Sequence, residues 1–92
     1  MKVIKSPKTD KKWRAVFSID GKEKTTDFGQ AGAEDYTIHK NKERRERYRA
    51  RHQKDLKTKD PTRAGHLSFY ILWGDSTSLR KNITDYKKRF DL

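Results

Sequence analysis

The stretch WRAVFSIDGKEKTTDF, Trp13–Phe28, decides how the first third of the chain folds. Apolar residues stand at every second position from Trp13 to Ile19, which indicates a strand with one buried face. Asp20-Gly21 follows at once, and Asp-Gly between two extended runs is a strong hairpin signal because both turn residues need positive φ. The stretch therefore predicts an antiparallel hairpin with Lys22–Phe28 as its return strand, and Val3-Ile4 can add a short strand at the edge.

The composition predicts a small core. The chain has 92 residues, of which 30% are hydrophobic and 40% are charged. A chain of this length makes one domain and buries a modest fraction of its surface. Ten aromatic residues argue against full disorder. A small, aromatic-rich core indicates either a compact fold or a dimer that shares its core, and we expect a homodimer.

Several classes of protein are excluded by what the sequence lacks. It has no cysteine, so a disulfide framework and a thiolate metal site are ruled out. No apolar run approaches the ~20 residues of a membrane span, and MKVIKSPK is not a signal peptide. The three histidines, His39, His52 and His66, lack metal-ligand spacing. We expect no membrane, metal or cofactor, and a cytoplasmic or nuclear setting or a particle assembled there.

Three helices are predicted after a crossing loop at residues 29–40, on which Tyr36 and Ile38 are expected to anchor to the sheet. The first is a basic helix over residues 41–54, with Asn41 as its N-cap. An apolar helix should begin near Thr62 or Arg63 and end at Gly74.

The last helix has the clearest pattern. Apolar side chains recur at i, i+4, i+7 and i+11, on one helical face: Leu79, Ile83, Tyr86 and Phe90. The prediction is thus an α+β fold in a single domain 1–92, with a β-hairpin or small antiparallel sheet at 1–30, the basic helix at 41–54 and a helical pair at 63–90.

The segment WGDSTSL, Trp73–Leu79, contains a Gly-Asp-Ser like that of one class of serine hydrolases. A serine nucleophile needs a base and an oxyanion hole, and no histidine follows Ser76. Ser, Thr and Asp between two helices are what N-capping requires. We therefore predict that Asp75 and Ser76 begin the last helix and that the protein is not an enzyme.

The positive charge is concentrated in one block. The net charge is +11, and residues 39–63 carry eleven Lys and Arg against four Asp and Glu. Such a block implies a polyanionic partner, most often nucleic acid. Contact, with either DNA or RNA, should be mostly independent of sequence, since little here resembles a recognition helix of a known motif.

The predicted nucleic-acid contacts lie on the basic helix. Arg44, Arg47, Arg51 and Lys54 fall on adjacent turns, as do Arg45, Arg49 and His52. Tyr48 either stacks on a base or packs inward. The predicted binding residues are Lys42, Arg44, Arg45, Arg47, Tyr48, Arg49, Arg51 and Lys54. The alternative is that these arginines pair with Glu34, Asp35, Asp55 or Asp60, or form a dimer contact.

Four blocks between residues 34 and 90 carry a resemblance to a known family. They are ERRERYRARH at Glu43–His52, DPTRAG at Asp60–Gly65, the apolar Leu67–Trp73 and DYKKRF at Asp85–Phe90. In combination they resemble small, uncharacterised basic proteins of giant nucleocytoplasmic DNA viruses, and the chain looks like a marseillevirus-type member. Two departures are Arg49, where relatives have an apolar residue, and WGDSTSL, where they often read W-N-K-P-T-L.

The resemblance implies a viral origin and a place in the virion, or in the host cytoplasm or nucleus, but no reaction. The leading hypothesis is a non-enzymatic virion protein that binds nucleic acid non-specifically and helps to package or compact the genome. The alternative is a structural or regulatory module that contacts virion or host proteins, including nuclear ones, through its basic surface.

Overall fold

The first 30 residues form an antiparallel sheet in the computed structural model, which describes every residue of the chain. The strands are β1 (Lys2–Lys5), β2 (Lys11–Ile19) and β3 (Lys22–Gln30), and they lie in the order β1-β2-β3. Both pairs are antiparallel. The predicted hairpin and the added edge strand are therefore confirmed.

The β2–β3 turn has the geometry that the sequence demands. Asp20 has φ 51° and Gly21 has φ 76°, so both central residues are left-handed. Trp13 pairs with Phe28 across the strands. On the face of β2 that is predicted to be buried, Ala15 and Phe17 reach the core. Ile19, at the tip of the hairpin, is 42% exposed.

The structure has one more α-helix than the sequence predicts. Four α-helices follow the sheet instead of three: α1 (Tyr36–His39), α2 (Lys42–His52), α3 (Ala64–Leu67) and α4 (Leu79–Arg89). The additional helix α1 lies in the predicted crossing loop. It begins because the Asp35 carboxylate accepts a hydrogen bond from the Thr37 N–H at 2.9 Å, and it ends at Lys40, which is left-handed. The α+β class and the single small domain are confirmed.

The basic helix is shorter than predicted. The Asn41 side chain accepts a hydrogen bond from the Arg44 N–H at 3.1 Å, which confirms Asn41 as the N-cap. The α-helix ends at His52, and a 3-10 helix continues from Gln53 to Thr58. Of the two residues before this helix that were expected to anchor to the sheet, Tyr36 packs against the core. Ile38 is 55% exposed, so the prediction for Ile38 is wrong.

The apolar helix begins at Ala64 and becomes a π-helical turn over Ser68–Leu72. Gly74 follows it, as predicted, but its φ is not positive. This position requires glycine because there is no room for a side chain, and not because of its backbone conformation: a Cβ at Gly74 would overlap the carbonyl oxygen of Tyr70.

The start of α4 corrects the prediction for Ser76. The capping residue is Ser78, whose Oγ accepts a hydrogen bond from the Lys81 N–H at 3.2 Å. The Ser76 hydroxyl instead accepts from the Ser78 N–H at 3.0 Å, and the buried Asn82 holds the Ser76 backbone. The predicted helix start at Asp75 and Ser76 is therefore two residues too early, because three hydroxyl residues stand in a row there, Ser76, Thr77 and Ser78.

The core lies between one face of the sheet and α3 and α4. Its eight buried members are Ala15, Phe17, Phe28, Leu67, Ile71, Leu72, Trp73 and Tyr86. The other members of the predicted α4 stripe, Leu79, Ile83 and Phe90, pack against this cluster, which confirms the stripe. None of the helices combines the length and apolar composition needed to cross a membrane.

Candidate nucleic-acid interface

Helix α2 and the 3-10 helix after it, which contains Lys54, carry two rows of side chains on different faces. We call Arg44, Arg47, Arg51 and Lys54 the outward row and Arg45, Tyr48, Arg49 and His52 the inward row. Spacings of three and four residues place the members of a row on adjacent turns. Tyr48 is also four residues from Arg44, and its contacts with the Trp73 and His52 rings assign it to the inward row. The outward row is one of the two sets that the spacing predicts. The inward row is the other set with Tyr48 added, and the structure shows which row meets the protein.

Arg45 anchors α2 to the segment after α3. Its side chain is 11% exposed. Its Nε donates to the carbonyl oxygen of Gly74 at 2.6 Å, and its guanidinium donates to the Asp75 carboxylate at 2.8 Å. The guanidinium also lies 5.5 Å from the centre of the Tyr36 ring. Arg45 is therefore committed to the fold.

Arg49 makes the same kind of contact one turn later. Its guanidinium donates to the Trp73 carbonyl oxygen at 2.8 Å and lies 4.3 Å from the centre of the Phe69 ring. Burial, with the nearby charge of Arg45, lowers the pKa of Arg49. Both accepting carbonyls follow the π-helical turn, at the helix end where the dipole favours cations. The two arginines thus complete the C-terminal end of another helix.

Tyr48 occupies the centre of an aromatic stack. Its ring lies 4.2 Å from the Trp73 ring and 4.1 Å from the His52 ring, with interplanar angles of 6° and 21°. Burial raises the pKa of Tyr48 to about 12. Because protein rings cover both of its faces, Tyr48 is not positioned to stack on a base.

The outward row keeps its charge available. Arg44 lies 3.8 Å from Glu34, and Arg47 lies 3.7 Å from Glu43, with arginine side chains 41% and 61% exposed. Ion pairs of such length and exposure contribute little free energy. The Arg44–Glu34 pair is one that the sequence alternative names. Arg51 and Lys54 are exposed and form no ion pair, so a phosphate can approach the whole row.

The remaining cations of the block do not belong to this row. Lys42 is exposed at the start of α2, and further exposed cations flank the helix: Lys40, Lys57, Lys59 and Arg63. The predicted set of eight binding residues is therefore divided. The structure brings four of them together on one surface, leaves Lys42 beside it, and turns Arg45, Tyr48 and Arg49 inward.

The histidines take part in intramolecular contacts. The His66 ring lies 2.6 Å from the Tyr86 hydroxyl, which itself donates to the Pro61 carbonyl. Burial lowers the pKa of His66. His39 accepts a hydrogen bond from the Asn41 N–H and lies against the Trp73 ring. No group of three or more His, Asp or Glu side chains is arranged to hold a metal ion.

Replacing an arginine by alanine should affect the free energy of unfolding very differently in the two rows. Arg45→Ala should lower the free energy of unfolding by about 2–4 kcal/mol, because it leaves a buried carbonyl without its donor. Arg47→Ala should change it by less than ~0.5 kcal/mol, as an exposed substitution does. Urea unfolding followed by circular dichroism measures both. Equal stability of the two variants would show that Arg45 is not an anchor.

Comparison with known proteins yields a single finding. A sequence profile described as "Family of unknown function (DUF5754)" matches residues 1–52. No curated protein and no solved structure matches the chain. The matched residues contain the sheet, α1 and α2, whereas the carbonyls that bind Arg45 and Arg49 lie outside them.

Proposed function

We propose that this chain, a member of the family of unknown function DUF5754, binds nucleic acid without sequence preference through the outward row. The observation that supports the proposal is the separation of the two rows. Arg45 and Arg49 fasten α2 to the protein, and the opposite surface keeps four cations that have only weak partners or none. Rigid support on one side and free charge on the other suit a phosphate-binding helix.

The length of the row fits a polyphosphate backbone. From Arg44 to Lys54 the row extends roughly 15 Å at the helical rise of 1.5 Å per residue. A DNA strand places a phosphate every ~3.4 Å along the duplex axis, so about four phosphates lie within that length. Arg guanidinium groups bind phosphate with two parallel hydrogen bonds, which favours Arg over Lys in such a row.

The same geometry argues against base readout. Base-edge contacts need a helix that enters a groove and side chains that reach specific donors and acceptors. The outward row consists of long cationic side chains, and the aromatic ring in this helix, Tyr48, is covered by Trp73 and His52. Phosphate contacts position a protein without carrying sequence information. We therefore expect equal affinity for unrelated sequences of equal length.

Salt dependence is the first test of the proposal. Four phosphate contacts should give a slope of about −3 to −4 in log affinity against log salt concentration. Affinity for a labelled duplex, measured by fluorescence anisotropy, should fall about 100-fold between roughly 50 and 200 mM salt. A flat profile would contradict the proposal.

Charge reversal on α2 locates the contact. Arg44→Glu, Arg47→Glu and Arg51→Glu in one chain should reduce the affinity about 100-fold and flatten the salt slope to about −1. The matched control reverses three exposed cations of α4: Arg80, Lys87 and Lys88. Both variants lose the same six units from the net charge of +11. An equal loss in the two variants would mean that overall charge, not the outward row, drives binding.

The other hypotheses stay predictions. They are the giant-virus resemblance, the location in the virion or host, and the homodimer. Light scattering in the same buffers measures the molar mass and so tests the dimer. If the α2 variant lost binding to an acidic protein while retaining DNA binding, the alternative function in protein interaction would replace nucleic acid.

A further inference from the structure

A second cationic surface lies on the other side of α1. It is a cleft of about 650 Å³ between the end of β1, the turn that follows it, the start of β2 and residues 31–38. We call it the lysine cleft. Its lining includes Lys5, Pro7, Lys8, Lys11, Trp13 and Ile38, together with Lys12 and Asp35.

The positive charge of the lysine cleft is not neutralised. Its one carboxylate, Asp35, is only 2% exposed and is already bound by the Lys12 ammonium at 2.8 Å and the Thr37 N–H at 2.9 Å. Lys8 lies 3.4 Å from a carboxylate outside the cleft, with its side chain 59% exposed. Lys5 and Lys11 form no ion pair. The ligand that this charge favours is an anion.

Part of the remaining lining is apolar. Trp13 is partly buried, Ile38 is 55% exposed, and Pro7 stands beside them. A ligand that complements both parts has a flat apolar face and negative groups at its edge. An unpaired nucleotide has this chemistry, since every base offers a face for stacking and every phosphate a negative charge. In a duplex the base faces are covered by their neighbours, and exposing one costs free energy.

The lysine cleft shares lining residues with a second cavity that reaches α2. Lys11, Lys12 and Asp35 line this cavity of about 370 Å³, which continues to Tyr48 and His52. The residue before Asp35, Glu34, contacts Arg44 of the outward row. A flexible strand that lies along the outward row therefore has a short path into the cleft, whereas a stiff duplex does not.

We infer that the lysine cleft binds an unpaired nucleotide of a single strand, with the base against Trp13 and the phosphates near Lys5, Lys8 and Lys11. This inference rests on the proposed function and adds a preference to it. The outward row holds the backbone of either form of nucleic acid, and the cleft selects single strands.

Tryptophan fluorescence tests the inference directly. The chain has two tryptophans, and Trp73 is 9% exposed and stacked on Tyr48. Titration with an oligothymidylate of about 20 nucleotides should quench Trp13, saturate together with the anisotropy of the labelled strand, and show about tenfold tighter binding than a duplex of equal length. Trp13→Leu should abolish both the quenching and the preference while retaining duplex binding.

A variant with altered charge in the lysine cleft tests the inference even if Trp13→Leu does not fold. Lys5→Glu with Lys8→Glu should remove the single-strand preference and the quenching, whereas the control Lys87→Glu with Lys88→Glu should weaken both forms of nucleic acid equally. Binding of both forms with no quenching, or an unchanged preference in the variants, overturns the inference and leaves the proposed function standing. No binding of either form at low salt overturns both. Equal quenching by polyglutamate assigns the cleft to acidic polypeptides and also overturns the inference.

Discussion

Gly74→Ala is expected to lower the free energy of unfolding by more than about 3 kcal/mol, because the new methyl group would overlap the Tyr70 carbonyl oxygen, which is backbone and cannot move aside. The Asn82 amide, on the other side, also leaves no room. The Gly74 carbonyl holds Arg45, so displacing it also loosens α2. Thermal unfolding followed by circular dichroism measures the loss.

Gly65→Ala is the matched control for Gly74→Ala. A Cβ there would meet the half-buried Asp55 side chain at 3.1 Å, a tight contact that a small shift of that side chain relieves. Gly65 lies in α3, where alanine gains about 0.5–1 kcal/mol of helix propensity over glycine. The two effects should nearly cancel. If Gly74→Ala were as stable as this control, the loop after α3 would be more adaptable than the packing indicates.

Asn82→Asp is expected to have an effect of similar size, about 3–4 kcal/mol at neutral pH. The Asn82 amide donates to the Ile71 carbonyl at 2.9 Å and to the Ser76 carbonyl at 2.7 Å, and the residue is 3% exposed. Aspartate has nearly the same shape but replaces the donor with a charged oxygen that repels both carbonyls. The loss should therefore come from the hydrogen bonds and the charge rather than from packing.

The pH dependence of Asn82→Asp distinguishes this cause from a loss of packing. Burial beside two carbonyls raises the pKa of the new carboxyl above its unfolded value of about 4. The folded state then binds the extra proton more readily, so the deficit against the original protein is full above the raised pKa and shrinks as the pH falls toward about 4.

Asn41→Asp is the control for the asparagine substitution. The Asn41 side chain only accepts a hydrogen bond, from the Arg44 N–H at the start of α2, and a carboxylate accepts it equally well. We expect its stability to be unchanged or slightly higher at neutral pH. A deficit in Asn82→Asp that does not vary with pH would contradict the electrostatic explanation.

The parts of the fold that the sequence predicts are those with local signals. Asp20-Gly21 specifies the turn because two adjacent residues must both be left-handed. The α4 stripe from Leu79 to Phe90 is long enough for its period to be clear. Helix α1 has four residues, too few for a period, and depends on the cap at Asp35. The π-helical turn of Ser68–Leu72 has no sequence signature that separates it from an α-helix.

The sequence predicts that the basic helix carries two rows of cations, but not which row faces the protein. Spacing alone separates Arg44 and Arg47 from Arg45 and Arg49. Which row faces inward depends on the acceptors of Arg45 and Arg49, and these carbonyls lie 29 and 24 residues further along the chain. The lysine cleft depends likewise on the meeting of the β1–β2 turn with residues 31–38. Contacts so distant in sequence leave no periodic pattern.

The attachment of α2 to residues 73–75 has a consequence for synthesis of the chain. Arg45 and Arg49 leave the ribosome about 25 residues before their acceptors, a delay of roughly 1–5 s at ~5–20 residues per second. During that interval α2, which has little apolar surface of its own, lacks the two carbonyl acceptors of Arg45 and Arg49. The nascent chain therefore exposes more of its α2 arginines than the finished protein does, and folding withdraws two of them from the surface as it completes the carboxyl end of another helix.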